Sequence, residues 1–267
     1  QLLSIGYSLS DNRLDNSWNG ASLRVTANIG GTTLTSISAW MKYRNRQFYD
    51  YDASPLRLFE EQPGDAEIKS WSQEFRLVSA SNQPFTWMLG GLYASDTIDE
   101  RRSGRLDDNI LGLGGLLPPP FVNTRTFTQE SQSWAIYAQA GYDVTSQLNL
   151  NGSLRYTDDT RKLINYNHFF GPPATGFLLV SNVNKRVDLQ SHWSGHVGLD
   201  FKPNDDMLIY AKVTRGYKAG GFFGGFALAA GELEPYLEET VWSYEAGLKM
   251  QITPTLTLNG AAYYYDY

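Results

Sequence analysis

Ser133-Trp134-Ala135-Ile136-Tyr137-Ala138-Gln139-Ala140-Gly141-Tyr142-Asp143-Val144 is the stretch whose reading decides the fold. Taken with a period of two, one face is Trp134, Ile136, Ala138, Ala140 and Tyr142, and the other is Ser133, Ala135, Tyr137, Gln139, Gly141 and Asp143. The first face is lipid-compatible and the second is mixed, as expected of a strand with unlike surroundings on its two sides. Trp134 and Tyr142 stand eight residues apart. At about 3.3 Å per residue the pair spans about 26 Å along a strand. Tilted by about 40°, that becomes about 20 Å, close to the apolar band of about 25 Å between the aromatic girdles of a membrane barrel.

The pattern recurs on both sides of this stretch. Leu148, Leu150, Gly152, Leu154 and Tyr156 alternate with Asn149, Asn151, Ser153 and Arg155. Trp193, Gly195, Val197, Leu199 and Phe201 alternate with His192, Ser194, His196 and Asp200, and Trp193 and Phe201 are again eight residues apart. Period-two alternation predicts ten strands: Ala21–Ile29, Thr33–Tyr49, Glu67–Ser79, Phe85–Arg102, Phe127–Val144, Leu148–Lys162, Arg186–Phe201, Met207–Tyr217, Glu238–Ile252 and Thr255–Tyr265. Most exceed the roughly 5 to 6 residues usual in soluble sheets. Phe85 to Ala94 is apolar on both faces, and Gln1 to Asn19 offers no clear strand beyond Leu2 to Leu9.

Connections alternate between two kinds. Gly30-Gly31-Thr32, Ala80 to Pro84, Thr145-Ser146-Gln147, Lys202 to Asp206 and Thr253-Pro254 read as tight turns. Between them lie four long connections, Asp50 to Ala66, Ser103 to Thr126, Leu163 to Lys185 and Lys218 to Leu237. In an up-and-down meander every second connection emerges on the same edge, so long loops crowd one rim and short turns the other, the asymmetry of outer-membrane barrels. The expected fold class is all-β, an antiparallel up-and-down transmembrane β-barrel segment. A large soluble sandwich is the alternative, but its strands are shorter and its loops lack this two-class order.

Composition agrees. The chain carries 17 Tyr, 13 Phe and 7 Trp, and its mean hydropathy is −0.37. A negative mean suits a barrel whose every second residue faces a polar interior. No stretch reaches the roughly 20 apolar residues of a membrane helix, and the most apolar region, Ile110 to Val122, is broken by glycines and three consecutive prolines. Zero cysteines exclude disulfides, Cys-containing zinc sites and thiol nucleophiles. A net charge of −6 argues against nucleic acid as a partner. The N-terminus lacks the basic and apolar regions of a signal peptide, so the chain is expected to start downstream of one.

From about Asn16 onward the chain resembles the β-barrel of TonB-dependent receptors. The resemblance rests on the order and spacing of Gly20-Ala21-Ser22-Leu23, Leu34 to Trp40, Ser72-Gln73-Glu74-Phe75-Arg76-Leu77-Val78-Ser79, Gly152 to Asp159, Tyr210 to Phe222 and Ser243-Tyr244-Glu245-Ala246-Gly247-Leu248-Lys249. It implies an energised importer in the bacterial outer membrane. Its barrel has about 22 strands, an N-terminal plug fills the lumen, and the TonB complex is contacted at the inner membrane. Residues 1–267 contain no recognisable TonB box or plug, and Tyr263 to Tyr267 looks like a strand cut midway, so the chain is expected to be an internal part of the barrel domain. It would then form the wall and outer loops of a receptor for a siderophore or other bulky solute, in contact with lipid and lipopolysaccharide. A passive porin is the runner-up and a barrel enzyme the third reading.

Site candidates are few. Gly216 to Gly231 matches neither phosphate-binding glycine motif. Its glycines suit tight reversals in an outer loop, and Phe222, Phe223 and Phe226 are candidates to fold over that loop or meet a ligand. Arg101, Arg102 and Arg105, near the outer rim, are candidates for an anionic substrate or for lipopolysaccharide phosphates, against the plainer reading of rim charge. His192 and His196 have helical metal-ligand spacing, but on a strand they lie about 13 Å apart, too far for one ion. Asp159 facing His192 across a hairpin is the one pairing with the make-up of a general base, a carboxylate orienting a histidine. Asp50-Tyr51-Asp52 and Glu60-Glu61 read as a solvated acidic loop before a cation site. No cofactor, metal or catalytic residue is expected.

Overall fold

A computed structural model describes residues 12–50, 59–106, 121–172 and 175–267. Among the described residues ten strands form one sheet in strict chain order, each antiparallel to its neighbours. They are β1 (Arg13–Ile29), β2 (Thr32–Asp50), β3 (Phe59–Val78), β4 (Phe85–Leu106), β5 (Phe121–Asp143), β6 (Leu148–Gly171), β7 (Phe177–Asn204), β8 (Met207–Lys218), β9 (Glu239–Thr253) and β10 (Leu256–Asp266). This order sends all the tight turns to one rim and all the long connections to the other, as the alternation of connections predicts.

Strand ends near the tight turns agree with the sequence reading within three residues. At the other rim β2, β8, β9 and β10 also agree within a residue, whereas β3 to β7 do not. β3 starts eight residues before the expected Glu67, β6 runs nine past Lys162, and β7 starts nine before Arg186. The expected long connection Leu163 to Lys185 is mostly a twisted hairpin. Physically, the apolar face that marks a strand in sequence ends where the lipid band ends, while the hydrogen-bonded ladder continues into water on polar residues. β1 corrects the sequence reading similarly, since it begins at Arg13, within the stretch read as lacking a clear strand. Leu2 to Leu9, Tyr51-Asp52 and most of Ile110 to Val122 lie outside the described residues.

Residues paired across neighbouring strands share a face, so the registers carry the two faces through the sheet. The outward face takes Trp40, Trp71, Tyr93, Trp134, Tyr156, Trp193, Trp242, Tyr244 and Tyr264. Several of these rings touch: Trp71 and Tyr93 at 5.7 Å, Trp134 and Tyr156 at 5.4 Å, Tyr156 and Trp193 at 5.0 Å. Trp134, Tyr142, Trp193 and Phe201 are all exposed. On the opposite face the directly paired row Ala135, Thr157 and His192 is buried, at 1%, 2% and 6% exposure.

The aromatic belt also gives the strand tilt. Trp71 pairs with Ser95, whereas the belt residue on β4, Tyr93, lies two residues nearer the tight turns and pairs with Trp134. The same two-residue drop separates Asp158, the partner of Trp134, from Tyr156, and Trp193 from Gly195, which aligns through Arg215 with Trp242. A last drop leads from Trp242 to Tyr244, paired with Tyr264. Four such drops make eight residues over the eight strand steps from β2 to β10. One residue of about 3.3 Å per strand spacing of about 4.8 Å is a tilt of about 35°, within the range of membrane barrels.

Candidate functional site

The inner face is a polar lattice. Tyr137 lies across Gly90 on the neighbouring strand, its hydroxyl donates to Glu74, and Arg76 Nη2 donates to the same carboxylate at 2.7 Å. The Arg155 guanidinium lies 5.7 Å from the Tyr137 ring centre. Asn151 donates to Asp200 at 3.1 Å, and Tyr210 donates to Glu245 at 2.6 Å. Such a lattice suits a wetted wall, because each charge is paired without an apolar core around it.

Toward the long-loop rim the character changes. The segment 219–238, which joins β8 to β9, folds back onto the extensions of β5, β6 and β7. Phe222, Ala227 and Leu233 from it pack with Phe127, Leu163, Tyr166 and Val180 in one buried cluster. A bridge between Gly221 and Tyr236 ties its ends together, and Ala230–Leu233 forms a single turn of 3-10 helix. Gly224 rests on the Phe127 ring, where an added Cβ would come within 2.5 Å of Cζ, so the close approach requires glycine.

The strands build the seat for this loop through bulges. Asn165 and Asn182 take positive φ, 52° and 49°, a conformation asparagine tolerates. The β6–β7 register shifts around them. Asn165 N donates to Asn184 Oδ1 at 3.0 Å and Asn182 N to Asn167 Oδ1 at 2.8 Å, which fixes the bulges. Tyr166 and His168 are thereby aimed into the cluster and are fully buried. Tyr166 Oη donates to Gly225 O at 2.6 Å. Burial raises its pKa above the ordinary phenol range, so the hydroxyl keeps its proton. His168 Nδ1 donates to Ala227 O at 2.6 Å, and its Nε2 lies 2.7 Å from Asn123 Oδ1.

The loop candidates therefore divide. Phe222 is buried packing, whereas Phe223 and Phe226 show exposed rings at the rim, Phe226 edge-on to His168 at 4.4 Å. The three arginines do not converge. Arg102 belongs to the inner face with Glu100, its partner at 3.0 Å, while Arg101 and Arg105 belong to the outward face. Arg125, which sequence reasoning passed over, is paired in register with both Arg102 and His168 on the inner face, and its Nε is buried without a hydrogen-bond partner. Its only sequence signal is parity on β5, legible once that strand is known to reach Phe121.

Asp159 and His192 do not face one another directly. Asp159 pairs with Leu189 and His192 with Thr157. β8 parts from β7 beyond the Gly195–Arg215 pair, and Tyr217 fills the gap. Its ring stacks on His192 at 4.5 Å, and its hydroxyl donates to Asp159 at 3.0 Å. His192 Nε2 lies 3.9 Å from Glu238. His196 Nδ1 meets Ser153 Oγ at 2.7 Å instead. The two histidines thus serve separate contacts.

Residues 1–267 match throughout the family model described as TonB dependent receptor-like, beta-barrel. The chain belongs to this family. β-Barrels of TonB-dependent receptors reside in the bacterial outer membrane, and the family is one of receptors and transporters. The chain is 22% identical over 232 residues to the pesticin receptor of Yersinia pestis, covering 85% of this chain and 30% of that protein. Its fold is similar to the ferric yersiniabactin uptake receptor of Yersinia pestis, with a TM-score of 0.76, 15% identity, and coverage of 94% of this chain and 36% of that one. The ferric-catecholate import receptor of E. coli in its closed form gives a TM-score of 0.64 at 12% identity, covering 97% of this chain and 41% of that one. The chain thus spans about a third of the length of these relatives.

Proposed function

We propose that this TonB-dependent receptor segment is the wall and outer mouth of an active importer of ferric siderophore-type chelates. The observation that carries the reading is the docked loop 219–238. It holds Phe223 and Phe226 exposed at the mouth, beside the inner-face Arg125 whose Nε lacks a partner. Flat apolar rings and a guanidinium suit a bulky chelate with aromatic and anionic parts. The pesticin, yersiniabactin and ferric-catecholate receptors of like fold support that choice. No side chain here acts catalytically in this reading. Energy comes through a plug and the TonB complex, and outer-membrane lipid with lipopolysaccharide surrounds the aromatic face.

The test uses the full-length receptor in a strain lacking its own siderophore uptake, supplied singly with phenolate-type, catecholate and citrate ferric chelates. TonB-dependent growth on at least one chelate is expected. Phe223→Ala with Phe226→Ala should weaken binding of that chelate by about tenfold or more, in line with about 1 to 2 kcal/mol per buried aromatic contact. Growth independent of TonB, or steady conductance in planar bilayers, would instead make the protein a passive porin.

A further inference from the structure

The docked loop 219–238 has a root, and the root closes on a histidine. Paired backbone bonds between Gly221 and Tyr236, at 3.1 and 2.9 Å, draw the two ends of the loop together. Next to that bridge the entering end carries Tyr217 and the leaving end carries Glu238. Both meet His192 of β7. The Tyr217 ring stacks on the imidazole at 4.5 Å, and a Glu238 oxygen lies 3.9 Å from Nε2. His192 is buried, and this Nε2 has no hydrogen-bond partner. The neck of the loop rests on β7 as well, since a Cβ on Gly220 would come within 2.8 Å of the Leu189 side chain.

A buried nitrogen without a hydrogen bond is costly for a neutral ring, whereas a charged ring in the same place gains the carboxylate beside it. At 3.9 Å Glu238 is beyond hydrogen-bonding distance, and a movement of about 1 Å would bring it within reach. A positive ring also stacks more strongly on the Tyr217 face. The remaining charges act from further off. On β6 the buried Asp159, which accepts from the Tyr217 hydroxyl at 3.0 Å, favours a positive ring. Arg161, 3.9 Å from Asp159, and Arg155, whose Nε donates to Thr157 at 3.0 Å, oppose it. Lys218 and Glu239, beside the two contacts in sequence, are exposed and pair with each other at 3.8 Å. On β7 itself Asp188 is taken by Arg186 at 2.7 Å. Among the described residues Glu238 has no ion pair besides that with His192.

Imidazole is the side chain that ordinarily changes charge between about pH 5 and about pH 8. The pairing with Glu238 exists only in the charged form, so docking at the root strengthens as pH falls and weakens as pH rises. We infer that His192, Tyr217 and Glu238 form a proton-operated latch at the root of loop 219–238, closed in acid and released toward alkaline pH. The latch sets how firmly Phe223 and Phe226 are held at the mouth. It does not depend on what is imported, and a receptor that takes up no ferric chelate would still give the result below.

The experiment follows amide hydrogen exchange across Phe222 to Tyr236 of the full-length receptor in lipid nanodiscs, at about pH 5.5 and about pH 7.5. Each rate is divided by that of an unfolded peptide of the same sequence at the same pH, which removes the chemical pH dependence of exchange. Protection in wild type should be about fivefold greater in acid, the factor that one ion pair with a partly exposed partner gives. His192→Gln should abolish this difference. Glu238→Gln should abolish it too, although the imidazole and its stacking on Tyr217 remain. Heat-modifiable gel mobility and unchanged protection of β5 and β6 would confirm that both variants fold. A wild-type difference below about twofold overturns the inference. So does a difference that survives Glu238→Gln, which would assign the proton to His168 in the seat of the loop.

Discussion

Tyr137 shows how one residue ties the inner wall together. It lies flat over Gly90, and its hydroxyl reaches Glu74 two strands away. A Cβ on Gly90 would come within 2.2 Å of Tyr137 Cζ, so Gly90→Ala must displace the ring and break its bond to Glu74. Overpacking of this kind costs about 1 to 3 kcal/mol. The full-length receptor carrying Gly90→Ala should lose its heat-modifiable mobility at a lower temperature than wild type. In a Tyr137→Ala background the same change should cost little, and an equal cost in both backgrounds would separate Gly90 from the ring. The sequence places Tyr137 on the mixed face by parity alone. It does not place Gly90 beneath it, because that depends on the β4–β5 register, which no pattern within either strand sets.

The loop from β8 to β9 is the element on which the proposed site depends. Its glycines and phenylalanines were legible as an outer loop; its seat was not. The seat is built by Asn165 and Asn182, whose bulges turn Tyr166 and His168 inward, and a strict period of two has no place for a bulge. Leu233 is fully buried in the cluster. Leu233→Ala should therefore cost the docked loop about 2 to 5 kcal/mol. Hydrogen exchange would then quicken across Phe222 to Tyr236 while β5 and β6 keep their protection. Tyr166→Phe removes the donor to the partly buried Gly225 O and should cost about 1 kcal/mol, the usual net worth of such a hydrogen bond. Unchanged exchange in both variants would mean that the loop is held by something other than this cluster.

At the scale of the whole chain, the alternation of connections gives the up-and-down order, and the aromatic spacing gives the height of the lipid band. The tilt of about 35° emerges only from the registers, although it sits close to the roughly 40° assumed from sequence. Among the described residues β1 and β10 each pair with a single neighbour. An open sheet in lipid leaves two edges of unpaired N–H and C=O groups at several kcal/mol each. Residues 1–267 expressed alone should accordingly aggregate, with neither heat-modifiable mobility nor discrete channel openings in planar bilayers.

The central claim is that β5 has lipid on one face and the lumen on the other. Nitroxide labels placed one at a time at positions 133 to 142 of the full-length receptor in bilayers test it directly. Even-numbered positions, on the face of Trp134 and Tyr142, should collide with oxygen dissolved in the bilayer, and odd-numbered positions, on the face of Tyr137, with a water-soluble nickel complex. The two accessibilities should alternate in antiphase along the strand. A reversed phase would put the faces wrong by one residue, and uniform water accessibility at both sets would contradict the membrane wall altogether.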